Sequence, residues 1–263
     1  MNNFTLGCSY KNRVSQLETM VKTADMYLPT DVNFLLIDGG SSYENILRLR
    51  KTISEDIGFD REVRFLDSSK NSLVQGWNYG LIHSDTRYVI YTSSDVVFHT
   101  NGIVDYFQSK IKEGYEYILA GNHAVFCLDK AAIPKMGMWC EEYRNGPHFD
   151  THQLIKASEG NVKIDFGTNN WHNHGDTSEE SRLRLKTDQK DRLPMNDFHN
   201  EKVFKSIWET DWLGWEEYVK NNPNFTNLPH PPISINQVKR NFPEICPYPY
   251  FMEYVKNTFQ ENL

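Results

Sequence analysis

Strand-like and helix-like segments alternate through the first third of this chain, and that alternation limits its fold more than any other feature. Phe4–Cys8 is a short apolar run, and Val14, Leu17, Val21, Ala24 and Leu28 then recur at steps of three and four until Pro29. Such spacing predicts an amphipathic helix stopped by proline. Val32–Ile37 is continuously apolar, as in a strand buried on both faces, and Asp38-Gly39-Gly40-Ser41-Ser42 breaks it. Ile46, Leu49, Ile53 and Ile57 mark a second helix closed by Gly58. Val63–Leu66 reads as a strand, Leu73–Ile82 as a helix and Tyr88–Thr92 as a strand. Repeated strand–helix–strand units imply an α/β fold, with right-handed crossovers and a mostly parallel sheet flanked by helices. Ligands of open sheets lie beyond the carboxyl ends of the strands. The segments to search are therefore Ser9–Arg13, Asp38–Ser42, Asp67–Asn71 and Ser93–Val97.

The pattern changes further on. Tyr117–Ala120 and Ala124–Leu128 read as strands, Ala131–Tyr143 as mostly helical and Thr151–Ser158 as a short helix. Val162–Phe166 is a strand leading into the Asn-, His- and Gly-rich Gly167–Thr177. From Ser178 the chain is charged and aromatic. Helical pieces are expected near Asn200–Glu209 and Trp215–Lys220, then extended chain studded with prolines from Pro223 to Pro249, then a closing helix over Tyr250–Phe259. Two units follow: residues 1–177 as a Rossmann-like core and 178–263 as a helical, proline-rich extension packed on it. Trp208, Trp212, Trp215 and Tyr218 have the spacing of one helix face, packed against the core or serving as a carbohydrate-stacking wall.

Composition narrows the function. A net charge of −7 argues against a chain that grips nucleic acid backbone non-specifically. No apolar run approaches the roughly 20 residues of a membrane-spanning helix, and Met1–Thr5 lacks the basic, apolar character of a secretory leader. Cys8, Cys127, Cys140 and Cys246 form no C-x-x-C pair, which suits reduced thiols and a cytoplasmic location. Neither G-x-G-x-x-G nor G-x-x-x-x-G-K-[ST] occurs, so dinucleotide dehydrogenases and P-loop enzymes are set aside.

Several segments, in order, resemble family 2 glycosyltransferases with the GT-A (nucleotide-diphospho-sugar transferase) fold. Phe4-Thr5-Leu6-Gly7-Cys8-Ser9-Tyr10-Lys11-Asn12-Arg13 looks like that family's opening strand and loop, and Val32–Ile37 with Asp38-Gly39-Gly40-Ser41 like its second strand ending in Asp-Asp-Gly-Ser. Asn71–Gly80 echoes its N-x-G…N-x-G helix, with Leu73 in place of a glycine. Tyr88–Thr92 with Ser93-Ser94-Asp95 takes the place of the D-x-D strand end. Met136–Tyr143 and His148-Phe149-Asp150-Thr151-His152 resemble the acceptor-side segment with its Glu-Asp-x-Asp motif. The likeness runs over residues 4–175.

The resemblance implies transfer of a sugar from a nucleoside diphosphate sugar (UDP- or GDP-linked) to an acceptor hydroxyl, glycan or other, with inversion and with help from a divalent metal, Mn2+ or Mg2+. A departing diphosphate needs positive charge, and one strand-end carboxylate with phosphate oxygens makes a hard, oxygen-rich metal shell. Asp95 is the candidate, although the full acidic pair is missing. A late histidine, His172 or His174, matches the position from which many GT-A enzymes recruit a further ligand. In extended chain His172, His174 and Asp176 share a face. Asp150 takes the place of the catalytic base, with Glu141 or Glu142 as substitutes. Donor binding falls to Ser9, Tyr10, Arg13, Asp38, Asn78, Ser94 and Asp95: the Tyr10 ring to stack on a base, Arg13 to fork a phosphate, Asp38 to accept from base or ribose, Asn78 to contact ribose or phosphate.

Plainer roles compete. Asp95 and Asp150 could be caps, Asp38 a turn residue and Arg13 an exposed helix start. Three other functions compete: a non-catalytic sugar-nucleotide or glycan-binding relative, a hydrolase using the His172-x-His174-x-Asp176 segment for two metals, and a sugar-nucleotide pyrophosphorylase, whose Gly-rich basic loop Gly7–Arg13 does not supply.

Overall fold

The computed structural model describes residues 4–57, 61–67, 73–143, 149–168, 170–174 and 199–205. The alternation read from the sequence becomes β1 (Phe4–Tyr10), α1 (Val14–Tyr27), β2 (Asn33–Asp38), α2 (Tyr43–Asp56), β3 (Val63–Asp67), α3 (Leu73–His83) and β4 (Tyr88–Thr92). There follow β5 (Val96–Phe98), α4 (Ile103–Lys112), β6 (Tyr117–Asn122), β7 (Val125–Asp129), α5 (Ile133–Met136), α6 (Phe149–Glu159), β8 (Ile164–Phe166) and β9 (His172–His174). Seven strands form one sheet in the order β3-β2-β1-β4-β7-β6-β8, and β5 pairs with β9 beside it. β2, β1 and β4 are parallel neighbours, while β7 runs against both β4 and β6. The sheet is therefore mixed, with one reversed strand.

Period-two alternation sorts the side chains into two cores. Val89 and Tyr91 of β4, Phe126 and Leu128 of β7, and Tyr117 and Leu119 of β6 face α3, α5 and α6. Phe4, Leu6, Cys8 and Tyr10 of β1, with Ile90 and Cys127, face α1, α2 and α4. On the first face, β1 presents Thr5, Gly7 and Ser9. These small residues let α3 approach closely: a Cβ at Gly76 would stand 2.1 Å from Ser9 Oγ.

Two expectations change. Ala131–Tyr143 is not one helix. A 3-10 turn, Lys130–Ala132, leads into α5, and Gly137 ends it at φ 74°, in the left-handed region, after which residues 138–143 run irregularly. α4 is a helix that the sequence reading passed over; Ile103, Val104 and Phe107 bury its inner face. Of the expected extension, 199–205 is helical, and Phe204 packs into the same core as α3, α5 and α6. Asp176, the aromatic cluster from Trp208, the proline stretch and the closing helix lie outside the described residues. Among those described, no helix is long and apolar enough to cross a membrane.

Candidate functional site

The carboxyl edge of the sheet is built first by register. Tyr10 stands beside Asp38, and Asp38 beside Asp67, so three strand ends lie side by side. Cys8 pairs with Thr92, which puts the turn Ser93–Asp95 just past the end of β4 and level with the end of β1. Asn12 laces the first two loops together. Its backbone, at φ 54°, donates N–H to Ser41 Oγ (2.8 Å), and its Oδ1 accepts from Ser42 N (2.9 Å) and Asn45 Nδ2 (3.1 Å).

Asp95 sits at the mouth of this edge. Its carboxylate is 3.9 Å from Arg13 Nη1, with side chains 12% and 38% exposed respectively. It also bears on the buried Cys8 thiol, whose pKa is pushed up by desolvation first and by the Asp95 charge second. Ser94 is buried next to it. Ser9 is largely buried beneath α3.

Three further candidates are held by their neighbours. Tyr10 is only 4% exposed and packed in the core on the α1 side, so its ring has little face to offer a base; burial, then Asp38, raises its phenol pKa. Asp38 accepts from the N–H groups of Gly40 (3.2 Å) and Ser41 (3.0 Å), the turn role that competed with ligand binding. Asn78 is fully buried: its amide donates to Trp139 O (2.9 Å) and accepts from Trp139 N (3.0 Å). The same Nδ2 donates to Glu141 Oε1 (2.9 Å), and Gln75 Nε2 lies 3.4 Å from Oε2. Asn78 and Gln75 thus hold the Glu141 carboxylate against α3.

The histidines separate by register. His172 stands opposite Phe98 and His174 opposite Val96, the residue after Asp95. Opposed residues of a pair share a face, and His172 is 1% exposed with its ring centroid 6.3 Å from that of Phe98. Phe98 lies three residues past Asp95, about 10 Å along a strand. His172, one of the two expected metal ligands, is thus buried beside Phe98, while Asp176, the last residue of the H-x-H-x-D segment, lies outside the described residues. Among the described residues no three His, Cys, Asp or Glu side chains gather as a metal site.

Asp150 opens α6. Its Oδ1 accepts from Thr151 N (2.8 Å), a cap-like contact, while Oδ2 lies 3.9 Å from His123 Nδ1 and the side chain is 39% exposed. His123 belongs to the β6–β7 hairpin, whose Ala124 O accepts from Ser93 N (2.9 Å). That hairpin brings Asp150 to the same edge as Asp95. The sequence reading missed His123: a single histidine in a turn carries no spacing signal.

No family model matches the sequence, and no curated protein matches it either. Solved structures do. The mannosyltransferase PcManGT from Pyrobaculum calidifontis, in complex with GDP-Man and Mn2+, is 9% identical with a TM-score of 0.55, over 98% of this chain and 88% of that one. S. aureus TarS 1-349 in complex with UDP-GlcNAc is 10% identical, TM-score 0.53, over 96% and 83%. GalNAc-T7 with UDP, GalNAc and Mn2+ is 10% identical, TM-score 0.58, and the match takes in 99% of this chain but 58% of that one. At such identities the likeness is one of architecture, and the chain has the fold of these GT-A-type glycosyltransferase structures.

Proposed function

We propose that the chain is a glycosyltransferase moving a sugar from a UDP- or GDP-sugar to an acceptor hydroxyl, with inversion. One observation carries the reading: Asp95, paired with Arg13, and Asp150, beside His123, flank the carboxyl edge of a sheet whose fold is shared with nucleotide-sugar transferases. In this reading Arg13 and the loops laced by Asn12 hold the diphosphate. The acceptor oxygen attacks the anomeric carbon and gives its proton to the Asp150 carboxylate. The bond from that carbon to the diphosphate breaks, and the electron pair leaves on the phosphate oxygen. Ser9, Ser94 and the polar edge of Tyr10 line the donor side.

The donor set suits a hard cation: one carboxylate at Asp95, the backbone of His174 one register step away, and phosphate oxygens from the donor itself. A bound Mn2+ or Mg2+ would neutralise charge developing on the leaving diphosphate. Residues 1–177 serve as the catalytic unit and the remainder as an extension, which at 199–205 packs against the core. The buried, unpaired-by-motif thiols fit a reducing cytoplasm.

The test is a panel of UDP- and GDP-sugars with and without manganese, read by melting temperature and by release of nucleoside diphosphate. Stabilisation with turnover, the turnover lost in Asp150→Asn while stabilisation remains, supports the proposal. Stabilisation by a sugar nucleotide without turnover on any donor, unchanged in Asp150→Asn, would make the chain a binding module instead.

A further inference from the structure

His123 is a half-buried imidazole at the tip of the β6–β7 hairpin, and each of its ring nitrogens faces a polar neighbour. Nε2 lies 2.9 Å from the hydroxyl of Tyr117, and Nδ1 lies 3.9 Å from Asp150 Oδ2. A carboxylate only accepts, whereas a phenol hydroxyl both donates and accepts. One tautomer satisfies both sides: Tyr117 O–H donates to Nε2, and Nδ1 carries the proton toward Asp150. The ring plane is held edge-on to Phe126 (67°, 5.6 Å) and to Tyr117 (77°, 5.9 Å).

We infer that His123, locked by Tyr117, is a positioning residue that aims Asp150 at the acceptor proton by donating Nδ1–H to its carboxylate as the substrate closes the site. This rests on the reading of Asp150 as the base. The gap of 3.9 Å is longer than a hydrogen bond, and such contacts in ligand-free enzymes commonly tighten when substrate binds. Desolvation lowers the His123 pKa, with the Asp150 charge acting against it, which favours the neutral ring at neutral pH. Among the described residues, the groups bearing on Asp150 are His123 from the hairpin, Tyr117 from β6, Tyr143 from the loop after α5 and the N–H of Thr151 on its own helix. Both phenols stay protonated because burial raises their pKa values well above the ordinary range.

Two measurements on the full chain test this. Long-range nitrogen–proton NMR of the imidazoles should find His123 as the neutral Nδ1–H tautomer, with its signals displaced in Asp150→Asn. An Nε2–H tautomer, or signals indifferent to Asp150→Asn, overturns the inference. In the donor-turnover assay, His123→Leu should lower kcat roughly 10- to 100-fold with the donor KM within about twofold. His123→Asn, whose Nδ2 can take the place of Nδ1–H, should recover most of that loss. Equal losses in Leu and Asn variants that melt alike would reduce His123 to a packing residue. Full activity in Asp150→Asn would sink the base assignment itself, whereas activity lost there but kept in His123→Leu would sink only the present inference.

Discussion

Arg13 and Asp95 meet across the carboxyl edge of the sheet, 3.9 Å apart, one from the loop after β1 and the other from the turn after β4. The guanidinium and the carboxylate offset each other at the place where, in the proposed reaction, a diphosphate and a cation would compete for them. Asp95→Asn should therefore abolish the extra thermal stabilisation that manganese adds to UDP or GDP, while the stabilisation by nucleotide alone persists through Arg13. Arg13→Met should weaken nucleotide binding about tenfold with or without metal. Isothermal titration with and without manganese checks both, and an unchanged manganese effect in Asp95→Asn would remove the cation from this site.

Arg61 predicts a large effect on stability. Its side chain, 1% exposed, ion-pairs with Asp25 and lies 4.5 Å from the centroid of the Phe34 ring. It also donates to the carbonyls of Pro29 (2.9 Å), Val32 (2.7 Å) and Leu28 (2.9 Å), which gather where α1 ends. Arg61→Met orphans these acceptors and leaves the Asp25 carboxylate unpaired, which should cost about 3–5 kcal/mol in urea unfolding. Arg61→Lys cannot reproduce the fork and should recover less than half of it.

Asn78 links stability to the site. Asn78→Ala removes both bonds to the Trp139 backbone in a fully buried setting and should cost about 2–4 kcal/mol. Glu141→Gln leaves that clamp in place and should melt within about 1 kcal/mol of the wild type. A nucleotide affinity unchanged in both variants would confirm that Asn78 serves the scaffold.

Alkaline pH should weaken the fold. Burial raises the thiol pKa values of Cys8, Cys127 and Cys140 and the phenol values of Tyr91, Tyr117 and Tyr143. In the unfolded chain thiols lose protons near an ordinary value of 9.0, whereas the folded chain keeps them. The unfolded state then binds fewer protons, so stability is full below about pH 8 and falls as pH rises past 9. Lys130, whose pKa burial pushes down to about 8, works the other way across the same range, one group against six. The urea midpoint should drop between pH 8 and pH 10, and the three thiols should ignore thiol reagents in the native state. A flat midpoint would contradict the assignment.

Packing Ser9 under α3 leaves no room at Gly76. Gly76→Ala places a methyl 2.7 Å from Ser9 Cβ and should destabilise by about 1–3 kcal/mol despite alanine's better helix propensity. A gain in melting temperature would show that α3 can shift freely over β1.

Where local pattern governs, the sequence was readable. Tyr88–Thr92 is β4 to the residue, and the continuous run after Val32 is the doubly covered β2. The failures have specific causes. Gly137 at positive φ cuts a stretch whose apolar spacing alone looks helical. β5 and β9 have three residues each, too few to show a period, and without their register His172 and His174 cannot be told apart. The roles of Asn78 and His123 depend on Trp139, Tyr117 and Asp150, partners that only tertiary structure brings near. Beyond α4 and the two short strands, the illegible part was side-chain placement.

The lone reversed strand has a consequence for the crevice. Because β7 returns antiparallel to β4, the turn joining β6 to β7 opens at the same rim where β1, β2 and β4 end. A strand in that place running with its neighbours would need a crossover, and its entry would lie on the far side of the sheet. One inversion of polarity thus supplies an opposing bank, so that residues distant in the chain confront each other across a single gap.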